Sequence, residues 1–290
     1  TEQGKIEANM VISDGSYNVA GGANSPKLTN GMIPIYYDDT SSSWKKADVN
    51  NTNGQWYKYN SEKKWANICT VSDEVNNVKK YREAGVGTTI LESDMTTMFV
   101  WIPRYAYSIV SGLKTTNTET PSVTNAGSAK IDVTFLKGIS NKDTLGTSYG
   151  KDYNLETAVS TTPTPKMIHP GFKFGSKELP GIWVAKFEAS GTTQSGSYVG
   201  NASASSGNPV LPDDTTYVKV IPNVPSWRHI TVGESQYQSM RMRTATAQYG
   251  WINANTHLIK NNEWGAVAYL CYSTYGVVPM INGSGALATG

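Results

Sequence analysis

The sequence predicts an α+β fold, in which a small antiparallel β module precedes a larger domain with two helices and a mixed or antiparallel sheet. Short apolar and aromatic runs, separated by turns that contain Gly, Asn or Asp, recur along the 290 residues. Two segments near the C-terminus combine helical spacing with an N-cap. The hydrophobic content of 38% is sufficient for a sizeable core.

The clearest helix lies between residues 257 and 276. Asn261 is its predicted N-cap, Glu263 is favourable near the positive end of the helix, and Gly276 is a natural stop. One apolar stripe at helical spacing consists of Trp264, Val267, Ala268 and Cys271. We therefore expect Trp264 to be buried between this helix and the apolar strand at residues 181–188.

A second helix is predicted from about residue 232 to residue 248. Thr231 can cap its N-terminus, and Glu234 follows three residues later, which completes a capping box. Its expected inward residues are Tyr237, Met240 and Ala247. A weaker helical pattern is predicted around residues 74–83, within a polar connector.

The N-terminal part has four short aromatic runs, at residues 32–37, 43–47, 55–59 and 64–68. Turn residues separate these runs, so they predict a small antiparallel meander. The runs contain three tryptophans, which are Trp44, Trp56 and Trp65. These side chains could line a sugar-binding face, but tryptophans in so small a module more often form the core, and we favour the core.

Further strands are predicted in the later part of the chain. Residues 99–103 are apolar on both faces, which indicates an interior strand. A half-buried strand has the alternating apolar residues Ile131, Val133 and Phe135. Residues 181–188 and 217–221 are also predicted strands. Long polar excursions occupy residues 138–165 and 191–214, and long loops of this kind are usually functional or mobile.

These patterns divide the chain into residues 1–97, which contain the β module and its connector, and residues 98–290, which contain the larger domain. No period typical of solenoids or propellers recurs.

Composition argues against two classes of partner. The 25 basic and 23 acidic residues are nearly balanced, so the basic surface that nucleic acid requires is not expected. No apolar run approaches the roughly 20 residues that span a bilayer. The low charged fraction of 17%, with 27 Gly and 17 Tyr, is typical of extracellular β-rich adhesive proteins. We therefore expect an extracellular or cell-surface location.

Catalytic and metal-binding patterns are weak. Residues 146–150 have the letters of a nucleophile elbow around Ser148, but polar residues precede them where a buried strand is needed. The histidines His169, His229 and His257 lack the spacing of a zinc site. The acidic pairs Asp38-Asp39 and Asp213-Asp214 could bind calcium, but turn chemistry explains them better. We predict no catalytic residue and no cofactor.

Cys69 and Cys271 are the only cysteines. Each stands among apolar residues, where a free cysteine behaves as a small hydrophobic side chain. We therefore favour two buried thiols over a disulfide, although a disulfide is not excluded by the sequence.

Three segments resemble, in the same order, domains of the formylglycine-generating-enzyme type, which have a C-type-lectin-like fold. They are Phe-Val-Trp-Ile-Pro at residues 99–103, Gly-Ile-Trp-Val-Ala-Lys-Phe-Glu at residues 181–188, and Leu-Ile-Lys-Asn-Asn-Glu-Trp-Gly-Ala-Val-Ala at residues 258–268. The resemblance covers residues 98–290. In domains of this type more of the sheet and of the ligand-facing surface follows the position of Gly276, so the resemblance implies that the larger domain is truncated at its C-terminus. It implies a scaffold that serves ligand binding as well as catalysis, as in hypervariable ligand-binding proteins. The chain as a whole also resembles Gram-positive surface proteins whose precursors begin with a prepilin-like segment.

The resemblance favours binding over catalysis, because the oxidising enzymes of the family depend on a redox cysteine pair that this sequence lacks. Aromatic residues and arginine make rigid contact anchors. The candidate ligand-binding residues are Trp227, Arg228, Tyr249, Trp251, Tyr272 and Tyr275. The alternative for most of them is a place in the core.

Two functions remain open at this point. The first is a non-enzymatic, adhesin-like binding protein that presents lectin-like loops to a protein or glycan ligand. The second is a structural subunit of an extracellular filament, pilus or phage appendage, which would associate with itself. An enzyme is the least expected function, because no group of catalytic residues was found.

Overall fold

A computed structural model describes residues 15–72, 77–111, 130–150, 165–193, 198–199, 216–228, 230–251 and 254–277. The strands are β1 (Tyr17–Asn18), β2 (Ala23–Asn24), β3 (Ile33–Asp38), β4 (Ser43–Lys46), β5 (Asn67–Val71), β6 (Met95–Pro103), β7 (Tyr105–Ser111), β8 (Lys130–Phe135), β9 (Met167–Ile168), β10 (Lys173–Phe174), β11 (Lys177–Glu178), β12 (Gly181–Ala185), β13 (Ser190–Thr193), β14 (Tyr198–Val199) and β15 (Thr216–Lys219). The helices are α1 (Tyr59–Glu62), α2 (Asn77–Glu83), α3 (Val232–Arg241), α4 (Thr246–Tyr249) and α5 (Asn261–Cys271). The prediction of an α+β fold is confirmed.

The main sheet is antiparallel and has the strand order β12-β6-β5-β3-β4. Its strand β6 has a partner on each side, with Trp101 opposite Trp183 of β12 and Phe99 opposite Ile68 of β5. The two apolar faces of residues 99–103 therefore correspond to an interior strand, as predicted.

Core residues cover both faces of this sheet. Successive side chains of β5 alternate, so that Ile68 belongs to one cluster with Trp101 and Leu270, whereas Cys69 belongs to a second cluster with Tyr81 of α2. Because both faces are covered, β5 is buried along most of its length. Cys69 is a free buried thiol, and Cys271 is free and half-buried, in agreement with the preference for thiols.

The predicted division between residues 1–97 and 98–290 does not separate two sheets. The boundary falls inside β6, and strands from both sides of it pair in the main sheet. The larger core cluster likewise combines Trp56 and Tyr59 from the N-terminal part with Trp101 and Phe172 from the later part. The strand β6 supplies hydrogen bonds to both parts, so the β module shares its sheet and its core with the rest of the fold.

Two three-stranded sheets extend this arrangement, and β1-β2 and β10-β11 form two-stranded sheets. One has the order β8-β7-β9, with Ile131, Val133 and Phe135 buried as predicted. The other has the order β14-β13-β15 and includes part of the predicted excursion at residues 191–214. It joins the main sheet at β6, where the N–H of Met98 donates to the carbonyl of Val220 at 2.7 Å.

Residues 55–59 do not form the predicted strand. The side-chain oxygen of Asn51 accepts hydrogen bonds from the N–H groups of Trp56 and Tyr57 at 2.9 and 3.1 Å, and its amide donates to the carbonyl of Tyr57 at 2.9 Å. The side chain of Asn51 thus supplies hydrogen bonds that a neighbouring strand would otherwise provide, so these backbone groups of Trp56 and Tyr57 are paired without strand pairing. Trp56 and Tyr57 are fully buried.

The predicted capping box of α3 is confirmed, because Thr231 and Glu234 exchange hydrogen bonds at its start. The helix ends at Arg241 instead of residue 248. The carbonyl of Met242 accepts from the indole N–H of Trp251 at 2.8 Å, and the chain turns before α4. The predicted inward residues Tyr237 and Met240 are exposed, because α3 turns Gln238 inward instead. The side chain of Ala247 lies outside the described set.

Candidate functional site

Helix α5 buries a different stripe from the predicted one. Its buried residues are Glu263, Ala266 and Leu270, and Trp264 is 53% exposed. The prediction that Trp264 is buried against residues 181–188 is therefore wrong. Both sets of residues have helical spacing, so only the packing partner decides between them.

The packing partner is the 3₁₀ turn Pro170–Phe172, which approaches α5 closely. A Cβ atom on Gly171 would lie 2.7 Å from the carbonyl oxygen of Asn262 and 3.1 Å from Cβ of Ala266. The hydroxyl of Tyr105 donates to the carbonyl of Ala266 at 2.6 Å. Only small side chains fit at this contact, so the indole of Trp264 lies on another side of the helix.

The start of α5 is held by Glu263. Its carboxylate accepts from the N–H of Lys260 at 2.9 Å, and both of its oxygens lie 3.0 Å from Nε2 of His257. Burial by itself raises the pKa of Glu263, but the hydrogen bonds from His257 and Lys260 outweigh it, so the pKa is lowered. The observed N-cap is Lys260, one residue before the predicted Asn261.

The β10–β11 hairpin packs against the same segment. The Nζ atom of Lys260 lies 3.9 Å from the ring centroid of Phe174, and the ring of His257 lies 5.2 Å from it. Lys177 is paired directly with Phe174 across the hairpin, so both side chains project from the same face. The exposed Lys177 is thereby placed on the side of the hairpin that faces Lys260.

Three apolar side chains are exposed in the segment that contains Lys260. Leu258 is 36% exposed and Ile259 is 42% exposed, close in sequence to Trp264. Ile259 and Trp264 occupy the positions before the N-cap and four residues after it, whose apolar side chains commonly pack together as a hydrophobic staple. We call the group of Leu258, Ile259, Lys260, Trp264 and Lys177 the Trp264 surface.

The predicted ligand-binding residues do not share one surface. Tyr249 and Trp251 are buried, with ring centroids 5.0 Å apart, and their polar atoms bond the carbonyls of Val218 and Met242. Trp227 is half-buried against the same core cluster. These three aromatic residues belong to the core cluster beside α3 and α4. A place in the core is the alternative that the sequence left open for them. Arg228 alone among the six is exposed.

Tyr272 and Tyr275 are half-buried in another region, where they pack against the larger core cluster. The ring of Tyr275 lies 4.7 Å from that of Phe135, and its carbonyl accepts from the indole of Trp65 at 2.8 Å. Trp44 and Trp56 are buried as well. The core interpretation of the N-terminal tryptophans is therefore confirmed for these two, and Trp65 is half-buried.

The remaining polar candidates have structural roles where they are described. His169 is buried among aromatic rings, and its Nδ1 accepts from the N–H of Gly171 at 3.1 Å. Asp38 forms an ion pair with Lys45 at 2.6 Å and bonds Thr40 and Ser41 in its turn. His229 and the pair Asp213-Asp214 lie outside the described residues. Within the described ranges, no group of three potential metal ligands is present.

An open depression of about 520 Å³ lies over the loop after β8. Its lining residues are Lys137, Ser140, Lys142, Asp143, Thr144, Leu145 and Gly146. The carboxylate of Asp143 is already used by its own loop, because it accepts from the N–H groups of Leu145 and Thr147 and from the hydroxyl of Tyr149. This depression offers no pair of groups arranged for proton transfer.

Comparisons of the chain with protein families, curated proteins and solved structures find no match. Among the described helices, none combines the length and the apolar character that crossing a membrane requires. The sequence signal that points to the Trp264 surface is the apolar pair Ile259 and Trp264 on either side of the N-cap of α5. The predicted apolar stripe places Trp264 in the core and does not include Ile259.

Proposed function

We propose that this protein is a non-enzymatic binding protein of the cell surface or extracellular space, and that the Trp264 surface contacts its ligand. The observation that carries the proposal is the 53% exposure of Trp264 on an otherwise well-packed helix. Exposed tryptophan is uncommon, and tryptophan is strongly enriched among residues that dominate binding energy. Leu258 and Ile259 extend the apolar contact area on the preceding segment.

The scaffold beneath this surface is suited to binding without rearrangement. Glu263 fixes the start of α5 through Lys260 and His257, and Phe174 packs against both of those residues. Arg104, which is fully buried, holds the base of the hairpin through carbonyls of Phe172 and Leu179 and an ion pair with Glu178. The ion pair spans 2.8 Å, with angles outside hydrogen-bond geometry. A surface fixed in this way loses little conformational entropy on binding.

The proposal includes a C-type-lectin-like scaffold. Two of the three segments that resemble this family contribute to the adjacent strands β6 and β12, and the third covers the first eight residues of α5. Trp101 of β6 and Ala266 of α5 belong to the same core cluster. This proximity is consistent with one domain that presents α5 and the neighbouring loops to a ligand.

The test uses glycan and protein-fragment arrays probed with the whole chain and with Trp264→Ala. We expect at least one ligand whose binding falls about 30-fold or more in the variant, which is the loss typical of a hot-spot residue. Tyr37→Ala, at a 43% exposed aromatic residue of β3, is the matched control and should bind normally. Ligands that bind Trp264→Ala as tightly as the unchanged chain would contradict the assignment of this surface.

A second candidate function is a self-associating structural subunit. It is favoured by a separate exposed apolar group on α3, where Val232 is 78%, Tyr237 50% and Met240 42% exposed. These positions fall on one side of the helix. Sedimentation of the chain and of a Tyr237→Ser, Met240→Ser double variant tests this function. Assemblies that disappear in the double variant support a subunit, and monomers at high concentration exclude it.

A further inference from the structure

We propose that the ligand of the Trp264 surface is an acidic polypeptide segment, in which an apolar side chain is flanked by carboxylates. This inference rests on the proposed function and adds the chemical class of the ligand. Three features carry it: the exposed lysines, the internal partners of the nearby carboxylates, and the apolar side chains of Leu258, Ile259 and Trp264.

The nearby carboxylates are engaged below the surface. Glu263 is buried and contacts His257 and Lys260, and Glu178 forms its ion pair with the buried Arg104. Lys177 is exposed, and no described carboxylate lies within 4.0 Å of its Nζ. The side chain of Lys260 is 44% exposed although it lies 3.5 Å from Glu263. The charge that this surface presents to a ligand is therefore positive, which is complementary to an acidic partner.

The apolar residues favour a polypeptide over a polysaccharide. Leu258 and Ile259 carry no hydrogen-bonding groups in their side chains, so sugar hydroxyls placed against them would lose water without compensation. An apolar side chain of a peptide gains from the same contact, and indole is a favourable partner for it. The exposed Lys177 and Lys260 accompany the exposed apolar residues Leu258, Ile259 and Trp264. An apolar centre with charged residues around it is the arrangement of a small protein interface with a polar rim.

The hairpin supplies a matched pair of lysines for the test. Lys177 is paired with Phe174, on the face that packs against Lys260, whereas Lys173 is paired with Glu178 on the opposite face. Both lysines are exposed. Charge reversal at Lys177 should therefore weaken binding of an acidic ligand, and charge reversal at Lys173 should not.

The experiment selects short random peptides, displayed on phage, against the whole chain, with the Trp264→Ala chain as the counter-selection. We expect the enriched peptides to contain an apolar residue flanked by Asp or Glu. Their affinity should fall about tenfold or more for the Lys177→Glu variant. It should stay close to that of the unchanged chain for Lys177→Arg, which keeps the positive charge, and for Lys173→Glu. Binding should also weaken when NaCl is raised from about 50 mM to about 500 mM. Circular dichroism verifies that each variant is folded.

Several results overturn the inference. Enriched peptides that are neutral or basic, or acidic peptides that bind Lys177→Glu unchanged, exclude an acidic polypeptide as the ligand. If no acidic peptide is enriched but a sulfated polysaccharide binds in a Trp264-dependent manner, the ligand is a polyanionic glycan and not a polypeptide. The inference then fails, whereas the proposed function stands. If no peptide and no polysaccharide shows Trp264-dependent binding, the proposed function fails together with the inference.

Discussion

Nε2 of His257 lies 3.0 Å from each carboxylate oxygen of Glu263, and this contact joins the segment before α5 to the first turn of the helix. The carboxylate is buried and also accepts from the N–H of Lys260. Glu263 therefore satisfies a backbone donor that the helix leaves free and, with the same group, fixes the position of His257.

We predict that Glu263 makes stability depend on pH in the acid range. Its pKa is lowered from the ordinary value of 4.5, so its contribution is complete above that value and is lost as the pH falls through the lower folded pKa. Glu263→Gln should reduce the free energy of unfolding by about 1 to 3 kcal/mol at neutral pH. Urea denaturation below about pH 4.5 should show a smaller difference between the two proteins. A difference that does not change with pH would contradict the role of the charge.

His169 should add a second pH dependence that begins at a higher pH than that of Glu263. Burial lowers its pKa from 6.5 to about 3, so between these values the unfolded chain binds a proton that the folded chain does not. Stability should therefore fall as the pH decreases from about 6.5 towards 3. His169→Gln, which keeps an acceptor for the N–H of Gly171, should flatten this slope in thermal melts. An unchanged slope would show that His169 binds its proton over the same pH range in the folded and unfolded chains, which would contradict the lowered pKa.

The two tryptophans Trp264 and Trp251 should differ sharply in their contribution to stability. Trp264 is 53% exposed, so Trp264→Ala should change the free energy of unfolding by about 0.5 kcal/mol or less. Trp251 is 1% exposed and bonds Met242, so Trp251→Ala should cost about 3 to 5 kcal/mol. Denaturant titration of both variants measures this contrast. A loss of several kcal/mol in the free energy of unfolding for Trp264→Ala would indicate that the indole is buried in the core.

Residues 1–97 and residues 98–290 both contribute strands to the main sheet, so we predict that the chain unfolds in one cooperative transition. Ile68→Ala in β5 and Leu270→Ala in α5 each remove a buried side chain from the same cluster, at a cost of about 2 to 5 kcal/mol. Both variants should shift a single transition to lower temperature in calorimetry. Two transitions, with only one of them moved by each variant, would support the division at residues 97 and 98.

The packing of Trp227 requires glycine at position 191. A Cβ atom there would lie 2.6 Å from Cε3 of the Trp227 ring, so Gly191→Ala should displace the indole and destabilise the protein by about 1 to 3 kcal/mol. Gly233→Ala is the control, because nothing lies within 4 Å of its Cβ in the helix α3. It should leave stability unchanged or raise it by up to about 1 kcal/mol. Near-ultraviolet circular dichroism should change only in Gly191→Ala.

Local patterns in the sequence were sufficient to predict several elements. The alternation of Ile131, Val133 and Phe135 predicted the buried face of β8, and the two apolar faces of residues 99–103 predicted the interior strand β6. The capping box of Thr231 and Glu234 predicted the start of α3. These signals depend on contacts between residues close in sequence or on the fixed period of a strand, so no knowledge of the distant partner is needed.

The tertiary structure decided which face of each helix is buried and where the strands pair. On α5, both Trp264 and Ala266 belong to stripes with helical spacing, and the close approach of Gly171 selects the small residue for the interior. On α3, the buried Gln238 displaces Tyr237 outward. Residues 55–59 lack a strand because the side chain of Asn51 satisfies their backbone. In each case the deciding contact comes from outside the segment, and periodicity within a segment carries no information about the shape of its partner.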